Sequence, residues 1–114
     1  MRSRSGRQWL ADSVAGHARG EERITKEMGL REMEFVQALP AVLAGYQWQR
    51  SGNVVTAWRE TGTIRLEFGP EQVRRIASVS LPWMPVTLIF VDFPEAERKA
   101  FMDHFNRRFQ RGGG

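Results

Sequence analysis

Apolar and polar residues follow a helical period toward both ends of this 114-residue chain and a period of two between them. From Glu21 to Leu39 the residues are chiefly Glu, Lys, Met and Leu, good helix formers apart from Gly29. Ile24, Met28, Arg31 and Phe35 share one helical face, with Met33, Val36 and Leu39 beside it, so a helix over 21–39 is expected. Pro40 disfavours the helical region at Leu39, which stops or kinks the helix there. "PAVLAG" reads as a short further helical piece with Gly45 at its C-cap.

From Tyr46 the period changes. "YQWQR" (46–50) and "VVTAWR" (54–59) flank "SGN", the pattern of a β-hairpin with a Gly-containing turn. After "ETG", the strand "TIRLEF" (63–68) sets Ile64, Leu66 and Phe68 on one side and Thr63, Arg65 and Glu67 on the other. "GPEQ" leads into "VRRIASVSL" (73–81), and "PWMP" breaks the pattern before "VTLIFVD" (86–92). That last strand is apolar on both faces, Val86, Leu88 and Phe90 against Ile89 and Val91, the mark of a central or doubly covered strand.

The segment "DFPEAERKAFMDHFNRRFQR" predicts a helix. Asp92 and Glu95 have capping-box spacing, and Pro94 falls in the first turn. Phe101, Phe105 and Phe109 recur at i, i+4, i+8 and form one apolar stripe with Met102. Together the elements predict an α+β fold: a five-stranded antiparallel meander with an N-terminal helix and a C-terminal amphipathic helix packed on the sheet. Residues 21–111 form a single α+β domain in this reading. Residues 1–20, crowded with Arg, Gly and Ser, are expected to be a disordered N-terminal extension, and 112–114 a flexible Gly end.

Composition narrows the function classes. No run of 18 or more apolar residues occurs, and the N-terminus lacks the continuous apolar core of a secretory signal. With no cysteine there is neither a disulfide nor thiolate chemistry, which fits a reducing, cytoplasmic setting. The net charge of +4 is modest, although the pI of about 10.6 exaggerates it, because fifteen of the 17 basic residues are Arg. Residues 98–111 carry five basic side chains against Asp103 alone.

That basic segment supplies the first candidate site. His104, Arg107, Arg108 and Arg111 fall along one helix edge, where they could meet phosphates or another polyanion. The plainer reading is a helix C-terminus, whose dipole favours positive charge. The aromatics Tyr46, Trp48, Trp58 and Trp83, interleaved with Arg50, Arg59, Arg74 and Arg75, resemble a stacking platform for single-stranded nucleic acid. Core packing accounts for most of them, and Trp83, between Pro82 and Pro85, is the one expected to make an exposed aromatic contact. Ile76, Ile89 and Val91 are expected on a sheet face that the C-terminal helix leaves open, a candidate dimer interface.

Catalytic signals are weak. There is no Walker A, G-x-S-x-G or G-x-G-x-x-G motif, and His104 among arginines is a poor metal ligand. No catalytic residue, metal or cofactor is expected, and no membrane partner. The leading expectation is a small non-catalytic binding or assembly module acting through protein contacts, and forming a homodimer. The alternative is a nucleic-acid or polyanion binder that uses the basic helix edge and the strand aromatics.

Overall fold

The structure, a computed structural model, describes residues 20–110. The expected N-terminal extension, apart from Gly20, lies outside the described residues, as do Arg111 and the glycine end. Six strands and two helices follow in the order β1 (Glu21–Met28), α1 (Glu32–Val42), β2 (Gln47–Ser51), β3 (Val54–Arg59), β4 (Gly62–Phe68), β5 (Gln72–Ile76), β6 (Val79–Val91) and α2 (Glu95–Phe109). The sheet is antiparallel with order β1-β6-β4-β3-β2, and β5 pairs with the first part of β6. The chain thus has the α+β architecture that its periodicity predicts.

Both helices cover the same sheet face. Alternation along the strands turns Val55, Ala57, Ile64, Leu66, Phe68, Met84, Val86, Leu88 and Phe90 toward them, and all are buried. Phe35 is the meeting point of the layers. Its ring stacks on Phe109 at 5.4 Å and approaches Phe68 at 4.9 Å and Phe105 at 6.5 Å. The predicted phenylalanine stripe is therefore the inner face of α2, with Phe101 and Phe105 buried and Phe109 partly so.

Three local expectations change. Residues 21–28 form an edge strand rather than the start of a helix. Ile24, Lys26 and Met28 alternate inward, and Ile24 pairs with Leu88, Met28 with Met84. The free edge of β6 offers a full ladder of hydrogen-bond partners, which outweighs the modest helix propensity of Glu, Lys and Met. The helix proper begins after Gly29, and the Arg31 amide donates to Glu34 Oε1 at 2.8 Å to hold its first turn. Pro40 lies inside α1.

The stretch 73–81 is two strands, not one. It reverses at Ala77–Ser78, and β6 runs on through Pro82 and Pro85 to Val91. Ala77 supplies the turn with φ 56, a conformation that usually recruits Gly or Asn. The prolines are tolerated because of where their missing N–H groups fall. The Pro85 carbonyl accepts from Gly69 at 2.9 Å, so its ring nitrogen faces the irregular residues 69–71; Pro82, three residues away, faces the unpaired edge beyond Met28. Nor does Asp92 cap α2. It ends β6 with φ 57 and donates its amide to the Gly20 carbonyl, while Pro94 occupies the N-cap position and Glu95 and Glu97 lie in the first turn.

Strands β4 and β5 form one arm of a long hairpin with β6. Phe68 pairs with Val86 and Gln72 with Trp83, so three residues on one arm oppose two on the other. The extra residue is a β-bulge. Gly69 makes it with φ +88, and a Cβ there would stand 2.7 Å from Glu32 Oε2. Beyond this bulge β5 and the start of β6 continue as a two-stranded ribbon past the end of β1. With β6 spanning roughly 43 Å, the molecule measures 53 × 24 × 22 Å.

The packing of α2 generates a stability prediction. Phe105→Ala empties a fully buried site among Phe35, Phe101 and Phe109. It should cost about 3–5 kcal/mol, read as a fall in the denaturant midpoint. An unchanged melt would show that α2 is not part of the core.

Candidate functional site

The face of the sheet turned away from the helices carries no second layer among the described residues. Three rows of cross-strand neighbours make it up. Gln47, Trp58, Thr63, Val91 and Glu21 form the first; Gln49, Thr56, Arg65, Ile89 and Arg23 the second; Ser51, Val54, Glu67, Thr87 and Thr25 the third. Arg65 pairs with Glu67 at 2.9 Å, and Thr25 and Thr87 share a hydroxyl contact at 3.4 Å. Ile89, although on this open face, is only 8% exposed. It lies between Arg65 and Arg23, whose aliphatic stems suit such a place. Val91 is half-buried.

The ribbon continues the same face and is far more exposed. Of the six large hydrophobic residues exposed among those described, four are here: Val73 at 63%, Ile76 at 54%, Val79 at 52% and Leu81 at 45%. Ile76 pairs with Val79, and Arg74 with Leu81. These four and Trp83 therefore share the open-face side, while Val73, Arg75, Ser80 and Pro82 share the other. Trp83 is half-buried at the base rather than free in a loop. The Arg74 guanidinium lies 4.9 Å from its ring centre and 3.4 Å from Glu27, tying the ribbon to β1.

Of the candidate interface residues, Ile76 shares its face with Ile89 and Val91 but stands at the far tip, beside Val79 rather than beside them. The basic helix edge is divided. Arg107 and Arg108 are exposed on the last turn of α2, and Arg111 lies beyond the described residues. The His104 Nε2 donates to the Ala41 carbonyl at 3.2 Å, joining α2 to the end of α1. Arg108 lies on a half-open groove of about 1010 Å³ between the two helices and the end of β1, whose lining includes Lys26, Met28, Leu30, Glu34 and Phe109. Residues 20–110 hold twelve Lys and Arg against twelve Asp and Glu, so the whole formal excess lies in the flanking segments.

Nor do the aromatics share one surface. Trp48 and Tyr46 pack against the core, whereas Trp58 and Trp83 belong to the open face. Arg59 lies 4.3 Å from the Tyr46 ring centre and 3.5 Å from Glu97, which also accepts from the Thr61 hydroxyl at 2.7 Å. Among the described residues no His, Asp and Glu side chains gather as a metal site. Comparison with protein-family models, curated proteins and solved structures gave no match. Among the described residues the ribbon holds most of the exposed large hydrophobic side chains. Val73, Val79 and Leu81 escape a reading by periodicity because Ala77–Ser78 lacks the Asn-Gly or Asp-Gly signature of a two-residue turn.

The Tyr46 cluster sets a pH dependence. Burial raises the Tyr46 hydroxyl above its ordinary pKa; Arg59 opposes the shift and Glu97 adds to it. The unfolded chain then ionises first, so this contribution is whole below about pH 10 and is lost as pH rises through the folded pKa. Tyr46 is the only tyrosine, and its tyrosinate absorbance should appear at higher pH in native than in urea-unfolded protein. Tyr46→Phe should flatten the alkaline fall in stability.

Proposed function

We propose that the protein is a small non-catalytic binding and assembly module that works through protein contacts made by the β5–β6 ribbon, with a homodimer as its simplest assembly. One observation carries the reading: Val73, Ile76, Val79 and Leu81 stand about half or more exposed on a ribbon that, among the described residues, has no packing layer on either face. A solitary two-stranded hairpin is marginal in water, and exposed apolar area of this kind marks contact surfaces. The charge balance of residues 20–110 favours protein over polyanion as the partner.

Light scattering of the full chain tests this against a variant in which residues 72–83 are replaced by Asn-Gly. The β1, β4 and β6 ladders from Met84 onward stay intact, so the variant should fold. We expect a dimer at micromolar concentration for the full chain and a monomer for the shortened one. Equal association of both would overturn the proposal. Submicromolar binding of single-stranded DNA at physiological salt would favour the polyanion reading instead.

A further inference from the structure

The ribbon has an edge as well as faces, and the edge carries a register. Gly69 donates to the Pro85 carbonyl, so odd-numbered residues of β6 turn their amides toward β4 and β5. The pairs Gln72–Trp83, Arg74–Leu81 and Ile76–Val79 are then the hydrogen-bonded ones. Val73 and Arg75 direct their N–H and C=O groups outward. Among the described residues no strand lies beyond them, because β3 ends opposite Glu67. The opposite edge of the ribbon is blunted by Pro82, which has no N–H to offer. One edge is thus open and the other is not.

We propose that the open edge of β5 pairs with β5 of a second copy of this chain, antiparallel about a two-fold axis at Val73. Gln72-Val73-Arg74-Arg75, with Glu71 at the end of the bulge just before β5, is self-complementary in that register. Val73 faces its own copy, Gln72 faces Arg74, and Glu71 faces Arg75, twice by symmetry. Centring the axis on Arg74 or on Arg75 keeps the outward amides in phase but sets arginine against arginine, and a shift by half a pair misaligns the amides. Only the register centred on Val73 sets opposite charges against each other, and charge favours it for that reason. The Glu71 Oε1 accepts from the Glu32 amide at 3.0 Å, which leaves its second oxygen for the partner's arginine. Two marginal ribbons become one four-stranded sheet.

This assignment rests on the ribbon being the assembly element, and the experiment separates the two. In sedimentation of the full chain, Val73→Pro removes an outward N–H without touching the β5–β6 ladder and should abolish the dimer while leaving the melt within a few degrees. Arg75→Glu and Glu71→Arg should each weaken it roughly tenfold or more, and an equimolar mixture of those two variants should restore it as a heterodimer. The chain has no cysteine, so Val73→Cys should crosslink across the axis on mild oxidation, paired Cα atoms standing about 5.5 Å apart. A full chain that is monomeric overturns both readings. A dimer lost with the ribbon but indifferent to Val73→Pro and to the charge variants overturns this register and leaves the ribbon as the contact element.

Discussion

Hydrogen bonding on both edges of β6 is the constraint on which the other elements depend. A strand that serves β1 on one side and β4 on the other must be apolar where helices cover it, and Val86, Leu88 and Phe90 are fully buried there. Phe90 meets the Phe101 ring at 5.8 Å and so helps to place α2 on the sheet. Helix α1 fills the remaining space through Phe35 and Leu39, also fully buried. Because β1 must reach the far edge of β6 before α1 starts, the chain crosses over the sheet end at Gly29–Arg31. The order of elements follows from the need to satisfy both edges of one strand.

The same strand is longer than its neighbours need. Paired with β1 and β4 it requires residues 84–91, yet it begins at Val79. The surplus can be satisfied on one side only, by β5, and the bulge at Gly69–Glu71 sets β5 out of step with β4. A bulge of this kind re-aims a strand and increases its twist. It separates a sheet packed on a phenylalanine core from a ribbon that has no core among the described residues, with Arg74 between Trp83 and Glu27 as a polar tie at the junction.

Much of this was legible in the pattern of residues. The strands at 54–59 and 62–68, the helix with its phenylalanine stripe and the doubly apolar strand through Leu88 and Ile89 all follow from period and burial. The departures share a physical cause: each depends on a partner far away in sequence. Glu21–Met28 has helix-forming residues, but β6 supplies a ladder that no local preference reveals. Pro82 and Pro85 look like breaks, and become harmless only once the bulge and the free edge are known. Ile89 reads as an exposed apolar residue until Arg65 and Arg23 are placed on either side of it.

The ribbon also shows how the protein handles the hazard of open strand edges. The outer edge of β1 carries Glu21, Glu22, Arg23, Lys26 and Glu27, charges that discourage further pairing. The outer edge of β2 is short, five residues with two glutamines and an arginine. Pro82 guards one side of the ribbon. Against that background β5 is the exception. Its outward positions hold Val73 and Arg75, with neither proline nor a bulge within Gln72–Ile76, and the turn beside it places Ala77 in a conformation that costs an alanine about 1–2 kcal/mol. The proposed pairing of β5 gives a reason for the protection of the other edges and for the strained turn at Ala77. An edge of that kind gains most from a partner that brings its own matching charges, and Glu71 with Arg75 supplies those within five residues of one chain.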